Sequence, residues 1–142
     1  MYILDTDHFS VLERGGIIAQ GLTQRLARIS SAQVAVSIIT YEEQMRGWLS
    51  YIAKSQRIEQ QVEAYRQLKQ QLVNYCTIPI LEFDEQAVSE FQRLRKLYPR
   101  LGTMDLKIAA IALVNKAVLL TRNEIDFGQI SGLSVEDWIR KA

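Results

Sequence analysis

The feature that most constrains the fold of this chain is the alternation of short apolar runs with longer segments of helical periodicity. Apolar runs at residues 2–4, 34–38, 77–81 and 118–121 have the length of β-strands. Between each run and the next lies at least one segment in which apolar residues recur every three or four positions. Strands that alternate with helices in this way predict an α/β domain with a mostly parallel sheet.

The first half of the chain contains three of these periodic segments. Two of them, residues 41–54 and 58–75, are predicted to be long helices that form a helical hairpin. The predicted apolar face of the second consists of Ile58, Val62, Tyr65, Leu68, Leu72 and Tyr75. An amphipathic helix is also predicted over residues 17–29, with one apolar face formed by Ile18, Leu22, Leu26 and Ile29.

The second half of the chain shows clear helix start signals. Asp84 stands in an N-cap position before one helix, and Thr103 is predicted to cap the next. Residues 106–114 of that next helix are apolar nearly all round, which is typical of a central, buried helix. A short helix from Val135 is predicted to close the chain.

Length and composition favour a single globular domain over residues 1–142, because 48% of the residues are hydrophobic and 23% are charged. The net charge of +1 gives no general argument for nucleic-acid binding. Cys76 is the only cysteine, which excludes an internal disulfide and indicates a reducing compartment. The start does not resemble a signal peptide, and the longest apolar stretch, residues 108–114, is too short for a membrane span. We therefore expect a cytoplasmic protein without membrane contact.

Polar and acidic side chains follow three of the four predicted strands. In open parallel sheets, ligands bind outside the carboxyl ends of the strands. Four acids converging there, with either of the two glutamates among them, would repel one another without a cation, and carboxylates suit Mg²⁺ or Mn²⁺. Each acid alone also has a structural explanation as a helix-end or turn residue. The side chains concerned are Asp5 after the first strand, Ser37, Thr40, Glu42 and Glu43 after the second, Thr121, Asn123 and Asp126 after the fourth, and Asp105 in the first turn of the buried helix.

Four segments of the sequence resemble the signature blocks of PIN-domain toxins of the VapC type. They stand in the family order from residue 1 to about residue 138, and the residues between the second and third blocks carry no specific signal. The last block is the most distinctive. The four segments are MYILDTDHFS, VSIITYEEQMRG, GTMDLKIAAIAL and VLLTRNEIDFGQISGLSVEDW.

The resemblance implies a metal-binding and catalytic set of acids, namely Asp5, Glu43, Asp105 and Asp126. In this assignment Glu42 points elsewhere on its helix. Gln44 departs from the family pattern, in which a leucine is frequent, and is expected to affect helix packing. The resemblance also implies supporting roles for Thr6, Asp7, Ser37, Thr40, Thr121 and Asn123.

The resemblance further implies a three-layer α/β/α fold with a sheet of four to five strands and a helical hairpin. The implied activity is that of a Mg²⁺-dependent endoribonuclease, with Mn²⁺ as a possible substitute. Such a toxin cleaves transfer RNA or ribosomal RNA through a metal-activated water. Its implied partners are RNA, a cognate VapB-type antitoxin and a second copy in a homodimer.

Two other functions are compatible with parts of the sequence. The DTD segment at residues 5–7 is also similar to phosphatases of the haloacid dehalogenase type, but Phe9 stands where those enzymes expect Thr or Ser. The other alternative is a PIN module that binds RNA or protein without cleaving. His8, the only histidine, is expected to be a surface or capping residue. Trp48 and Tyr51 are expected either in the core or at an antitoxin interface.

Overall fold

The computed structural model describes residues 1–139 and contains a five-stranded sheet in which every pair of neighbouring strands is parallel. The strand order is β3-β2-β1-β4-β5. The predicted α/β fold with a mostly parallel sheet is therefore confirmed. The strands are β1 (Tyr2–Leu4), β2 (Val34–Ser37), β3 (Ile80–Leu81), β4 (Val118–Leu120) and β5 (Ser134–Glu136).

Helices cover both faces of this sheet, and α3 packs against α4 as the predicted hairpin. A short 3₁₀ turn at Ile58–Gln60 separates these two helices. The helices are α1 (Thr6–Arg14), α2 (Gln20–Leu26), α3 (Ile38–Lys54), α4 (Gln61–Tyr75), α5 (Glu85–Leu97), α6 (Thr103–Val114) and α7 (Glu124–Phe127).

Two hydrophobic cores arise because successive side chains of a strand point to opposite faces of the sheet. In β1, Ile3 packs in the core that contains α5, α6 and α7. Leu4, the next residue, packs in the core that contains Leu22 of α2 and Tyr75 of α4. Both side chains are completely buried. The chain is therefore a three-layer α/β/α domain with β1 at the centre of the middle layer.

The central position of β1 fixes the place of the candidate site. β1 pairs with β2 on one side and with β4 on the other, in register from Tyr2 to Leu4. The residues that follow these three strands are consequently brought to one edge of the sheet. The buried helix α6 lies beside them and packs against α5. Among residues 1–139, no helix is long and apolar enough to cross a membrane.

Three local predictions were wrong. Val135 lies in β5, not in a closing helix, because Ser134–Glu136 pairs with the open edge of β4. The second helix begins at Gln20, after a turn at Gly15 and Gly16 whose φ angles are 68° and 79°. Ile18 precedes that helix and is 63% exposed.

The cap of α6 and the buried face of α4 also differ from prediction. Gly102 is the N-cap residue of α6, and Thr103 is its first helical residue. α4 buries Ala64, Gln71 and Tyr75, whereas most of the predicted apolar face is exposed. The exposed members are Ile58, Val62, Tyr65 and Leu72.

Candidate active site

Asp5 lies at the centre of the candidate site, directly after β1. It is the N-cap of α1, and its Oδ1 accepts a hydrogen bond of 2.8 Å from the backbone amide of Thr6. Its Oδ2 accepts a bond of 2.7 Å from the hydroxyl of Thr121, the residue after β4. Both oxygens are therefore fixed, and the side chain is only 7% exposed.

Burial is the main reason that the pKa of Asp5 is raised to about 7. The negative charge of Asp7 raises this pKa further, and that of Asp105 adds a smaller increase. The hydrogen bonds from Thr121 and Thr6 act in the opposite direction. The carboxyl group of Asp5 consequently lies in an environment of negative electrostatic potential.

Glu43 approaches the same edge of the sheet from α3. Ser37 ends β2 and caps α3, where its Oγ accepts from the amide of Thr40 at 3.2 Å. The hydroxyl of Thr6 lies 3.1 Å from Glu43 Oε1, to which it donates, and 3.1 Å from the hydroxyl of Thr40. Burial, followed by the charge of Asp105, raises the pKa of Glu43. These contacts connect the ends of β1 and β2.

Glu42 has different surroundings. Its Oε2 forms an ion pair of 2.6 Å with Arg46, one turn further along α3. This pair is largely solvated, since the Arg46 side chain is 71% exposed. Glu43 is thus the glutamate that joins the other site residues through Thr6.

Asp105 enters from the first turn of α6 and is partly buried. Burial raises its pKa, and the negative charges of Asp126 and Asp7 raise it further. The effect of these two charges on its pKa indicates that Asp105 lies near both acids. Asp105 thereby connects the acids that follow β1 with the acid of α7.

Asp126 is held by Asn123, the N-cap of the short helix α7. The Asn123 side-chain amide donates to Asp126 Oδ2 at 3.0 Å, and Asn123 Oδ1 accepts from the Asp126 amide at 3.3 Å. The backbone amide of Asn123 donates to the Thr121 hydroxyl at 3.0 Å. Thr121 therefore links the loop that carries Asp126 to Asp5.

Asp7 is more firmly held than its expected supporting role suggested. Its Oδ2 accepts from the backbone amide of Arg122 at 3.0 Å and lies 3.4 Å from the Thr121 hydroxyl. Its Oδ1 lies 2.8 Å from Nδ1 of His8. Burial alone would raise the pKa of Asp7, but the bonds from His8 and Arg122 lower it below the ordinary value. These hydrogen bonds therefore stabilise the charged form of Asp7.

The position of His8 corrects the expectation of a surface or capping residue, because its side chain is completely buried. Nδ1 contacts Asp7, and the backbone amide of Trp138 donates to Nε2 at 3.1 Å. These partners lie one residue before His8 and 130 residues after it. The sequence carried no local signal of this arrangement, apart from an acid directly before a lone histidine.

The site residues offer only oxygen ligands, which are the ligands that Mg²⁺ and Mn²⁺ prefer. Within residues 1–139, no three Asp, Glu, His or Cys side chains converge closely enough to hold an ion directly. Mg²⁺ keeps several waters and typically contacts only one or two carboxylates. The raised pKa values of Asp5, Glu43 and Asp105 indicate a region in which a cation relieves repulsion. The donor set therefore fits such an ion.

A groove beside the site runs between α1, α3 and α4 and has a volume of about 820 Å³. None of the four predicted catalytic acids is among the residues that line it. Gln44 crosses the groove floor, where its side-chain amide donates to Ser10 at 3.1 Å and Glu13 at 2.8 Å. Tyr51 in the wall is 52% exposed, and Trp48 is partly buried.

Comparisons with known proteins agree with this architecture. The ribonuclease VapC1 of Haemophilus influenzae (strain R2866) is 31% identical over 146 residues, which cover 99% of this chain and 99% of the relative. The structure of VapBC-1 from nontypeable Haemophilus influenzae matches with a TM-score of 0.71 at 26% identity, and covers 98% of each chain. A toxin–antitoxin complex from Klebsiella pneumoniae matches with a TM-score of 0.71 at 25% identity over the full length of both chains.

A further structure, at slightly lower sequence identity, also has the same fold. DNA-bound VapBC from Salmonella typhimurium gives a TM-score of 0.76 at 24% identity, with 96% of this chain and 97% of that chain covered. The family model described as PIN domain matches residues 2–133, which contain β1 to β4 and all four predicted catalytic acids. This chain belongs to the PIN domain family.

Proposed function

We propose that this chain is a Mg²⁺-dependent endoribonuclease, with Mn²⁺ as an alternative ion, and that it acts as the toxin of a VapBC-type toxin–antitoxin pair. The observation that carries the proposal is the buried carboxyl group of Asp5, surrounded by the charges of Asp7 and Asp105. A site that accumulates negative charge around a fixed carboxylate is built to bind a cation. The similarity to VapC1 over the whole chain supports ribonuclease activity.

In this proposal Asp5, Glu43 and Asp105 hold the ion, one or two of them directly and the rest through its bound waters, and Asp126 completes the acidic edge. When bound, the ion supplies Lewis acidity, which lowers the pKa of a water and offsets charge on the scissile phosphate. The chain's own contribution is to fix the carboxylates before substrate arrives. Thr121 orients Asp5, Thr6 orients Glu43, and Asn123 orients Asp126.

Two supporting residues act one step further from the acids. Ser37 caps α3 and so sets the start of the helix that carries Glu43. The hydroxyl of Thr40 lies beside the hydroxyl of Thr6, which donates its single proton to the carboxylate of Glu43. Asp7 adds a fixed negative charge beside Asp5. We propose that the substrate is a transfer RNA or ribosomal RNA in the cytoplasm, and that residues 1–142 act as one domain.

The experiment is RNA cleavage by the purified chain with increasing Mg²⁺, compared with Asp5→Asn and Asp105→Asn. Both variants keep the size of the side chain but remove its charge. We expect only the parent chain to cleave RNA. The circular dichroism spectra of all three proteins should be the same. Full activity of either variant at saturating Mg²⁺ contradicts the assignment of that acid.

The same assay separates the alternatives. Turnover of a phosphate monoester with RNA left intact would support a phosphatase, for which the PIN family match gives no support. Binding of RNA without cleavage at any Mg²⁺ concentration would support a non-catalytic module. Degradation that depends on Mg²⁺ and on Asp5 supports the nuclease.

We further propose that the groove between α1, α3 and α4 receives the VapB-type antitoxin. The matched structures are toxin–antitoxin complexes, and the groove offers both apolar and amide surface. Gln71 is buried in it, and within the described part of the chain its Oε1 has no hydrogen-bond partner. A polar group on the antitoxin that donates to this oxygen would remove an unfavourable burial.

A homodimer is also proposed, because exposed apolar side chains on the outer face of α4 remain available for a second copy. These are Val62, Tyr65 and Leu72. Light scattering of the purified toxin gives its mass directly, and Tyr65→Glu should shift it to the monomer. A monomeric parent chain at all concentrations removes the dimer proposal and leaves the nuclease proposal intact.

A further inference from the structure

His8 connects the acidic site to the C-terminal part of the described chain. It lies on α1, one residue after Asp7, and its ring is completely buried. One ring nitrogen lies 2.8 Å from Asp7 Oδ1, and the other accepts from the backbone amide of Trp138 at 3.1 Å. A buried histidine with two such partners has a fixed orientation.

The contacts also fix where the proton of the ring resides. Since the amide of Trp138 donates to Nε2, that nitrogen must carry a lone pair, and the proton is on Nδ1. Nδ1–H therefore donates to Asp7. Nε2 also lies 3.5 Å from Asp137 Oδ1, which is beyond the usual length of an N–H···O bond, so the Trp138 amide at 3.1 Å is the nearer partner.

The Trp138 side of this connection is anchored by several contacts. The Trp138 ring lies 4.8 Å from the ring of Tyr2 and is covered by the guanidinium of Arg25 at 4.3 Å. Its indole N–H donates to Glu136 at 3.2 Å. Trp138 itself is only 5% exposed. The amide that orients His8 thus belongs to a firmly packed residue.

On the other side, Asp7 contacts the residue that orients Asp5, one of the acids to which we assign the ion. Asp7 Oδ2 accepts from the Arg122 amide at 3.0 Å and lies 3.4 Å from the Thr121 hydroxyl, which itself donates to Asp5 Oδ2 at 2.7 Å. The bond from His8 to Asp7 Oδ1 sets the remaining freedom of the carboxylate. The placement of Asp7 therefore bears on Thr121 and, through Thr121, on Asp5.

We propose that His8 is a positioning residue for the ribonuclease reaction: its Nδ1–H holds Asp7 against the acidic site, and the Trp138 amide holds His8. This inference rests on the proposed function. Groups that orient the ligands of a metal typically change metal affinity by about 10- to 100-fold when they are removed. Because His8 reaches the ligand Asp5 through Asp7 and Thr121, we expect the lower end of this range. A histidine that only fills the core would affect stability without that selectivity.

Two substitutions separate these roles, because the amide of Asn reaches the position of Nδ1 whereas that of Gln reaches the position of Nε2. His8→Asn keeps a donor for Asp7 and loses the Trp138 contact. His8→Gln keeps an acceptor for Trp138 and loses the donor for Asp7. Calorimetry with Mn²⁺ should show about 10-fold weaker binding for His8→Gln and a change below about 3-fold for His8→Asn.

The melting temperatures of the two variants serve as the control. Both leave one former partner without its bond, so we expect similar losses of stability. Equal Mn²⁺ affinities in the two variants would mean that His8 is only a core residue. The Asp7→Asn background adds a second check: there, His8→Gln should cause no further loss of Mn²⁺ affinity, and an undiminished loss overturns the proposal.

Two measurements do not need the His8 variants to fold. In the parent chain labelled with ¹⁵N, long-range NMR correlations should place the ring proton on Nδ1, and a proton on Nε2 contradicts the proposal. Asp7→Asn should bind Mn²⁺ about 10-fold more weakly, and parental affinity likewise overturns it. The Asp5→Asn variant separates a failure of the proposed function from a failure of the His8 proposal. If it binds Mn²⁺ and cleaves like the parent, the proposed function fails; if only the His8 arms fail, the proposed function stands.

Discussion

At the scale of single residues, neighbouring positions in the sequence have very different surroundings. Glu42 pairs with Arg46 in solvent, whereas Glu43 accepts from Thr6 inside the site. Their side chains differ by about 100° around the helix axis, since an α-helix has 3.6 residues per turn. Only one of the two can face the ion.

Glu43→Gln should therefore reduce Mg²⁺-dependent cleavage by at least about 10-fold, as expected for loss of a charge that holds the ion. Glu42→Gln is the matched control. It removes only an exposed ion pair, which typically contributes at most about 1 kcal/mol. Initial rates with a defined RNA decide the matter, and the reverse order of activities would show that Glu42 holds the ion.

Asp5 should make the metal-free protein less stable as the pH rises. Its folded-state pKa of about 7 lies above the ordinary value of 3.8, so the folded chain binds more protons than the unfolded chain between these values. The free energy of unfolding should thus fall from about pH 4 to pH 7, with a slope of at most roughly 1.4 kcal/mol for each pH unit. Urea titrations in EDTA measure this dependence.

Asp5→Asn removes the titrating group while its amide oxygen can still accept from Thr121 or Thr6. The variant should lose most of this fall and be more stable than the parent at pH 8 without metal. If the free energy of unfolding has the same pH dependence in the two proteins, Asp5 is not the group that causes the fall. Added Mn²⁺ should stabilise the parent and leave the variant unchanged, because a ligand that binds only the folded state raises stability.

The positions of these polar residues relative to the strands and the helix starts could be predicted from the sequence. Asp5 directly follows an apolar run, and Asp105 stands in a first helical turn, so local pattern made them candidates, and the resemblance to PIN-domain toxins selected them. The firm hold on Asp7 was not predictable, because it depends on Arg122, which is 115 residues away. The burial of His8 similarly depends on Trp138. Long-range contacts of this kind leave no local periodicity.

At the scale of elements, α4 shows why a correct helix can be assigned the wrong face. The apolar repeat of Val62, Tyr65 and Leu72 predicted the helix but lies on its outer side. The inner side presents Ala64 and Gln71 to the groove beside α1 and α3. Apolar periodicity indicates a helix face that is covered by another surface. Only the packing of the other helices shows whether that surface belongs to the same chain.

Gln71→Leu should stabilise the isolated chain by about 1 kcal/mol, because it replaces a buried oxygen that lacks a partner among the described residues with an apolar group of similar size. Urea unfolding measures the gain, and Gln70→Leu, at an exposed position of the same helix, is the control. The same variant should bind the antitoxin more weakly if a donor from the antitoxin contacts Gln71. A loss of stability would show that Gln71 is satisfied in the folded chain.

β5 differs from prediction for a similar reason. Residues 134–136 have no strong strand pattern, and two of the three side chains are exposed. They form a strand because β4 offers an unpaired edge with which Ser134, Val135 and Glu136 are in register. Helix α5, by contrast, begins after the predicted cap Asp84, and the periodic segments predicted α3 and α4. Helix α1 was not predicted, although Asp5 caps it.

At the scale of the whole molecule, the site is assembled from distant parts of the chain. The ends of β1, β2 and β4 meet at one edge of the sheet, and α6 adds Asp105 from one side. The topology was predictable as a class, since alternating strands and helices favour a parallel sheet. The strand order was not, because nothing local to β1 shows that it lies between β2 and β4.

Expression of the chain without its antitoxin should arrest bacterial growth, because a ribonuclease that attacks transfer or ribosomal RNA stops translation. Asp5→Asn should be harmless at the same protein level and should still bind the antitoxin, since its groove is unchanged. Growth curves, RNA integrity and co-purification provide the readouts. Normal growth with intact RNA in several hosts would remove the toxin assignment and leave the PIN fold as it is.

The hydrogen bond between Thr121 and Asp5 spans 116 residues of chain, and this distance has a consequence during protein synthesis. Asp5 is among the first residues to leave the ribosome, but its strand remains without its β4 neighbour until residue 120 has emerged. At about 5–20 residues per second, the delay is roughly 6–25 s. The candidate site is therefore incomplete while the chain is being synthesised, and any fragment that stops before β4 lacks Thr121 and Asp126. In the proposed toxin–antitoxin pair, this interval is time in which an antitoxin already present can meet the chain before its site is complete.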